Sequence, residues 1–193
     1  MMAHTRKLLL LLLLVLALLV TASCASEKNP DVVKQPGNTN DVEQQSASKP
    51  PADQGTMRLT VYYATQDAMN LVPEVHVVEK NDRPAKTAVE LLLAEPSSKQ
   101  LVRVLPAGTK LKSLVVRDRI AYVDFNDKII KNNSGGSATE MLLVASIVNT
   151  LTEFPDISKV QILVEGKTVE TLSGHMSIGQ PLSRSEGIIK KNM

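Results

Sequence analysis

The sequence predicts an α+β domain in which two helices pack on one mixed sheet, in the order β-β-α-β-β-α-β-β. Three observations lead to this prediction. Several apolar runs have the length of strands, two other runs have apolar residues at helical spacing, and glycine and proline separate many of them. The part of the chain that holds these runs is long enough to bury a core without disulfides.

The first half of the domain is predicted to form two strands and a helix. The runs 58–65 and 71–80 predict strands, because apolar residues cluster in the first and alternate in the second. The run 83–96 predicts a helix, since Pro84 suits a first helical turn and Pro96 ends the helical spacing.

The run 110–126 predicts a β-hairpin with Asp118 and Arg119 at its turn. Arg119 is a poor residue for a tight two-residue turn, where glycine or asparagine is preferred. We therefore expect this loop either to be slightly longer than two residues or to be strained.

The second half of the domain is predicted to form a helix and a closing hairpin. The helix runs from about Ala138 to Glu153, where apolar residues recur three or four positions apart. The run 160–172 then predicts a strand, a turn at Glu165-Gly166 and a short partner strand.

The start of the chain has the pattern of a secretory signal peptide over residues 1–23. Arg6 and Lys7 precede an unbroken apolar run from Leu8 to Val20, and small residues follow this run. The run is shorter than the roughly 20 residues that span a bilayer, so an uncleaved membrane anchor is the weaker alternative.

Cys24, the sole cysteine of the chain, follows Thr21-Ala22-Ser23. This segment resembles the lipobox of bacterial lipoproteins, with Thr21 where leucine is usual, and it predicts cleavage between Ser23 and Cys24. The resemblance implies a diacylglycerol on the Cys24 thiol, and several acyl chains at ~0.8 kcal/mol per buried methylene hold a protein on a membrane. Ordinary cleavage near Ala22 or Ala25 is the alternative. We expect a lipid anchor in the cell membrane, with the protein on the extracytoplasmic face.

Residues 24–56 predict a disordered tether, because they are rich in proline, serine, asparagine and charged residues and hold little to bury. The domain follows at 57–186, and 187–193 form a short tail.

Without the signal peptide, which carries two of the 22 basic residues and none of the 20 acidic ones, the chain is electrically balanced. That balance and the scarcity of aromatic residues argue against nucleic acid as a partner.

The stretch NNSGGSATEMLL (132–143) places two glycines and two serines before the second helix. It lacks the lysine of a Walker loop, the spacing of a Rossmann turn and the second glycine of a hydrolase elbow. Ser137 and Glu140 instead have capping-box spacing, in which Ser137 Oγ accepts the Glu140 N–H and the Glu140 carboxylate accepts the Ser137 N–H. We predict this helix cap, and an anion bound at the helix end stays open as an alternative.

No other side chains form a recognisable catalytic or metal-binding pattern. His76 and His175 have no second histidine or cysteine at metal-ligand spacing. Asp124 and Asp127 flank the end of the predicted hairpin, where an aspartate more often bonds a turn than it transfers a proton. We therefore predict no catalytic residue, no metal and no cofactor, and we do not expect an enzyme.

Several short motifs follow one another along the domain. They are Val72-Pro73-Glu74, Pro106-Ala107-Gly108-Thr109, Val123-Asp124, Gly135-Gly136, Asn149-Thr150-Leu151-Thr152 and Val164-Glu165-Gly166. This ordered set resembles the GerMN domain, the sporulation and spore germination domain, over about Leu59 to Arg184, although Arg119 replaces the glycine usual at the hairpin turn. The resemblance implies a fold like that of the ring-building motif, in exported or membrane-anchored bacterial proteins that assemble envelope complexes. It offers no catalytic residues to transfer to this chain.

Two functions fit these observations. The first is a lipid-anchored, non-enzymatic interaction or assembly module of the cell envelope, linked to sporulation or germination, whose partner is an envelope protein or a second copy. The alternative is an envelope hydrolase or small-ligand-binding lipoprotein that uses the loop at 135–140. Convergence of Asp124, Ser137 and His175 on one cleft would favour the alternative.

Overall fold

The computed structural model describes residues 55–190, so the predictions for Ser23, Cys24 and the signal peptide lie outside the described residues. Within that range the chain forms seven strands and three helices. The strands are β1 (Thr56–Thr65), β2 (Leu71–Glu79), β3 (Leu101–Val102), β4 (Leu111–Arg117), β5 (Ile120–Phe125), β6 (Lys159–Val164) and β7 (Lys167–Thr168). The helices are α1 (Pro84–Leu93), α2 (Lys128–Lys131) and α3 (Ser137–Leu151).

The α+β class is confirmed, but the strands form two sheets and the prediction of one mixed sheet was wrong. The first sheet has the order β2-β1-β3 and the second has the order β4-β5-β6-β7. β3 pairs with β1 only at Ala64 and Thr65. Nearer the middle of β1, α3 covers the same edge, where Thr150 Oγ1 accepts the Tyr62 N–H over 3.1 Å. Because a helix occupies this edge, no strand of the second sheet can extend the first.

The observed element order also contains β3 and α2, which the sequence prediction lacked. β3 has two residues and α2 has four. Runs this short show no apolar periodicity, so the sequence gives little sign of them. The helix predicted at 83–96 is present as α1, which ends at Leu93, before Pro96.

The second sheet is built around a parallel pair of strands. β5 pairs with β6 along its full length, from Ile120 opposite Lys159 to Phe125 opposite Val164. A parallel pair requires a crossover connection, and α2 and α3 provide it. The crossover brings α3 into the same buried core as one face of β5, on which alternate residues are fully buried. These residues are Ala121, Val123 and Phe125.

α3 lies at the centre of the core, and every residue from Leu142 to Leu151 is buried. One cluster of buried side chains joins α3 to α1, β1 and the second sheet. A smaller cluster joins Leu142 and Ala145 of α3 to Tyr62 and Ala64 on the other face of β1. α3 therefore contacts both sheets, which explains why it is apolar on nearly all sides rather than along one stripe.

The β4–β5 turn has two residues, since Arg117 pairs with Ile120 across it. Asp118 and Arg119 have φ values of 50° and 62°, in a region that side-chain-bearing residues rarely adopt. Of the two expected outcomes, a longer loop or a strained two-residue turn, the structure has the strained turn. The turn is held from outside by the Arg119 carbonyl, which accepts the Ser158 N–H over 2.8 Å.

The chain after β7 runs back along the domain and remains packed on it to Lys190. The Leu71 N–H donates to the Ile188 carbonyl, and the Leu71 carbonyl accepts the Lys190 N–H, both over 2.8 Å. Ile188 is buried in the smaller core cluster. Residues 187–190, which the sequence assigned to a tail, thus lie against β2 as part of the folded unit.

Candidate functional site

The predicted capping box of α3 is not formed. Gly136, in an extended conformation, is the N-cap residue, Ser137 already lies in the helix, and the cap has no side-chain hydrogen bond. The Glu140 N–H donates to the Gly136 carbonyl over 3.0 Å, as the first backbone bond of the helix. The prediction for Ser137 and Glu140 was wrong because the helix begins one residue earlier than the box requires and the Glu140 side chain turns into the protein.

Glu140 instead binds the loop that follows β7. Its side chain is fully buried. Oε1 accepts the N–H groups of Leu172 and Ser173, and Oε2 accepts the N–H of His175, each over 2.8 Å. Asn133, in the loop before α3, adds a 2.6 Å bond from Nδ2 to Ser173 Oγ. The carboxylate thus joins the start of α3 to a distant loop.

The electrostatics of Glu140 favour its charged form. Burial by itself would raise the pKa of Glu140. The backbone N–H donors of Ser173, His175 and Leu172 outweigh this effect and hold the pKa below its ordinary value. A carboxylate engaged with three backbone donors is suited to holding a loop in place.

The side chains considered for a hydrolase do not bond one another. Asp124 is buried on β5, and its Oδ1 accepts the Gly166 N–H over 2.8 Å, which fixes the β6–β7 turn. Ser137 and His175 are exposed, and His175 reaches Glu140 only through its backbone N–H. Among residues 55–190, no hydrogen bond links a nucleophile and a base drawn from these side chains.

A cleft of about 620 Å³ opens beside the start of β2 and contains a carboxylate that the sequence analysis did not single out. Glu74 Oε1 and Oε2 accept the N–H groups of Ser97 and Ser98 over 3.0 and 2.9 Å. His76 Nε2 lies 2.9 Å from Glu74 Oε1 but makes no hydrogen bond with it. The two side chains form an ion pair when His76 is protonated. The motif Val72-Pro73-Glu74 was the only sequence signal for this arrangement.

The charge of Glu74 is also set by backbone donors. Burial by itself would raise its pKa, but the Ser97 and Ser98 N–H groups and the nearby His76 together hold the pKa below its ordinary value. Glu74 therefore fastens the loop after α1 to the edge strand β2, much as Glu140 fastens the loop after β7.

A third polar cluster joins β1, α3 and the C-terminal segment. Tyr62 Oη donates to Glu153 Oε1 over 2.7 Å, and Arg184 Nη2 lies 2.8 Å from the same oxygen. Asn149 is fully buried and exchanges two bonds of 2.9 Å with the backbone of Ser185. A polar residue inside the apolar run of α3 was the sequence signal for this contact, because a buried amide requires hydrogen-bond partners.

Residues 55–190 contain no group of three or more histidine, cysteine, aspartate or glutamate side chains placed to hold a metal ion. No helix in this range has both the length and the apolar character needed to cross a bilayer. The arrangement of Glu74, Asp124 and Glu140 positions loops and turns, since each carboxylate accepts backbone N–H groups.

The chain is similar to known sporulation proteins. A family model named Germane, described as sporulation and spore germination, matches residues 60–170. Spore germination protein GerM of Bacillus subtilis strain 168 is 29% identical over 144 residues, which cover 65% of this chain and 38% of that protein. The chain thus spans 38% of the length of the curated relative that it matches.

Two solved structures from Bacillus subtilis share the fold. The tandem GerMN domains of the sporulation protein GerM align with a TM-score of 0.58 and 24% identity, covering 67% of this chain and 46% of that one. The first GerMN domain alone aligns with a TM-score of 0.58 and 24% identity, covering 66% of this chain and 98% of that one. Because the family model spans more than half of the 193 residues, the chain belongs to the Germane family of sporulation and spore germination proteins and carries a GerMN domain.

Proposed function

We propose that this chain is a lipid-anchored protein of the cell envelope whose GerMN domain acts as a non-enzymatic assembly module in spore formation or germination. The observation that carries the proposal is the family match over residues 60–170, described as sporulation and spore germination. The curated relative is named a spore germination protein, and this chain spans 38% of its length. We therefore propose, for the whole of this chain, the sporulation role that the family description gives.

The contacts of three carboxylates support a role in binding rather than in catalysis. Glu74, Asp124 and Glu140 each accept backbone N–H groups within the domain. A general base needs a free lone pair within hydrogen-bond reach of the substrate, and a general acid needs a proton there. These three groups instead set the shape of loops and turns, and a fixed shape is what a binding surface requires.

The sequence ahead of the domain supports a membrane anchor. An apolar signal precedes the small residues Ala22 and Ser23, and Cys24 follows them as the sole cysteine. About 30 residues separate Cys24 from Gly55, and at full extension such a segment spans roughly 100 Å. The domain would then reach partners well above the headgroups while its lipid stays in the bilayer.

Complementation of a gene deletion in the native host tests this proposal. We expect the wild-type chain to restore the yield of heat-resistant spores that germinate, and to fractionate with membranes. The Cys24→Ala variant is expected to leave the membrane fraction and to restore neither, because no thiol remains to carry diacylglycerol. Ser46→Ala, in the same predicted tether, serves as the matched control and should behave as wild type.

Two outcomes would contradict the proposal. Full complementation by Cys24→Ala, at the same protein level as wild type, would show that the anchor is dispensable. Normal spore yield and germination in the deletion strain itself would remove the sporulation role.

A further inference from the structure

β2 is an edge strand whose outer side is only partly covered. It lies at one end of the sheet order β2-β1-β3. The Lys80 N–H donates to the Gly55 carbonyl over 2.8 Å at the end of the β1–β2 ladder. Because bonded and non-bonded pairs alternate in an antiparallel ladder, every second residue of β2 turns its N–H and carbonyl away from β1. These residues are Leu71, Pro73, Val75, Val77 and Glu79.

The first half of this outer edge is closed. Leu71 already bonds Ile188 and Lys190 through its N–H and carbonyl. Pro73 has no N–H to offer, as is common on edge strands that resist pairing. Proline and the C-terminal segment thus protect the edge up to residue 73.

The second half of the edge is open. Within residues 55–190, no protein group bonds the outward N–H and carbonyl of Val75 and Val77, and only Asn81 Nδ2 contacts the Glu79 carbonyl, over 3.3 Å. Val75 and Val77 expose 46% and 62% of their surface. The open stretch therefore combines unsatisfied backbone groups with exposed apolar side chains, which is the combination that favours pairing with another strand.

The sequence of this stretch favours pairing with itself. Residues 75–78, VHVV, hold three valines, which favour strands, and two glutamates and one lysine flank them. The stretch 74–80 has neither proline nor glycine. Segments with these properties are those that pair with identical segments of other chains. A second copy of this chain is therefore the partner that the edge fits.

We propose that two copies of this protein pair antiparallel through β2, with Val77 of each copy opposite Val77 of the other. In this register, each outward-facing residue of one copy lies opposite an outward-facing residue of the other. Val77 faces Val77, and on each side of that pair Val75 of one copy faces Glu79 of the other. It also sets Lys80 opposite Glu74, so opposite charges occupy facing positions. Shifting the register by one bonded pair in one direction would bring Pro73, which has no N–H, into the ladder.

The pairing joins two three-stranded sheets into one continuous sheet with a two-fold axis through Val77. Each facing pair of outward residues exchanges two main-chain hydrogen bonds, and the exposed valines of both copies cover one another. The inference names a partner for the assembly role proposed above and rests on it. Fractionation tests the anchor and crosslinking tests the edge, so the two can fail separately.

Cysteine crosslinking in intact cells tests the register. Facing bonded residues have Cα atoms about 5.5 Å apart, within the range that a disulfide bridges. Under mild oxidation, Val77→Cys is expected to give a reducible dimer at least about tenfold more abundant than the background of the Cys24-only chain. Val75→Cys alone should stay near that background, whereas Val75→Cys with Glu79→Cys should crosslink.

Val115→Cys is the matched control for random collision, because Val115 on β4 is 42% exposed but lies in the other sheet. Equal crosslinking of Val77→Cys and Val115→Cys would overturn the proposal. So would crosslinking of Val75→Cys alone as strong as that of Val77→Cys, since it would place the axis elsewhere.

Sedimentation of the purified full chain in detergent provides a second measurement. The wild-type chain should show a concentration-dependent dimer. Val77→Lys places like charges opposite each other at an exposed position, so it should weaken the dimer by roughly tenfold or more without unfolding the domain. Val115→Lys should leave the dimer unchanged. A wild-type chain that stays monomeric, or a Val77→Lys chain that dimerises as wild type does, would contradict the pairing.

Discussion

Replacing Glu140 with glutamine is expected to lower the free energy of unfolding by about 2 kcal/mol. Replacing it with alanine is expected to lower that free energy by about 3 kcal/mol or more. Glutamine keeps an acceptor for Leu172 and Ser173, but its amide nitrogen would face the His175 N–H, so donor meets donor. Alanine leaves all three backbone donors without their acceptor. Urea unfolding of the full chain at pH 7 measures both effects.

The contribution of Glu140 is also expected to depend on pH. The pKa of Glu140 lies below its ordinary value in the folded state, and the unfolded value is about 4.3. A depressed pKa gives stability that is fully present above the unfolded pKa and is lost as pH falls through the folded pKa. The difference in stability between wild type and Glu140→Gln should therefore be constant near neutral pH and shrink below about pH 4.3.

Glu90→Gln is a suitable control for Glu140→Gln. Glu90 also lies on a helix, but it is exposed and pairs with Lys86, at 3.5 Å. Its replacement should change stability by about 0.5 kcal/mol or less, since exposed pairs of this spacing contribute little. Equal effects of the two substitutions would show that the buried carboxylate does not hold the loop after β7.

Replacing Gly135 with alanine is expected to destabilise the domain by about 1–3 kcal/mol. A Cβ at this position would lie 2.4 Å from Thr139 Cβ. The Thr139 Cβ is held by the backbone of α3, so no change of rotamer relieves the contact. The same urea unfolding measures the loss, and adding Thr139→Ala should not restore stability because the Cβ remains.

The neighbouring Gly136 provides the control for Gly135. A Cβ at Gly136 meets nothing within 4 Å. Alanine is a poorer N-cap residue than glycine, but it restricts the unfolded chain, so Gly136→Ala should stay within about 0.5 kcal/mol of wild type. A Gly135→Ala chain as stable as Gly136→Ala would mean that the loop before α3 yields easily and that the close approach has no structural role.

Elements with several turns or alternations could be predicted from the sequence, whereas their assembly into sheets could not. β1 carries a cluster of apolar residues, β2 an alternation and α3 a helical spacing, and each of these patterns is long enough to be recognised. The division into two sheets goes with the long-range packing of α3 along one edge of β1, where the Tyr62 N–H bonds Thr150 Oγ1. The apolar pattern of a single helix does not show which strand edge that helix covers in the folded domain. The sequence therefore led to the simpler prediction of one sheet.

The polar groups of the domain show the same limit. Ser137 and Glu140 have the spacing of a capping box, and spacing alone favours the local bond. The structure uses Glu140 for three donors more than 30 positions away in the chain, a choice that depends on where the loop after β7 packs. Glu74 and Asn149 were assigned no structural role for the same reason, because their partners, Ser97, Ser98 and Ser185, are also distant in sequence.

Mass spectrometry of the mature protein, extracted from host membranes, is the most direct test of the proposal that a lipid holds this GerMN domain at the membrane. We expect the polypeptide to begin at Cys24 and to carry a mass increment equal to diacylglycerol on that residue, with or without a further acyl chain on its amino group. A mature chain that begins at another residue, or a Cys24 that bears a free thiol, would contradict the account.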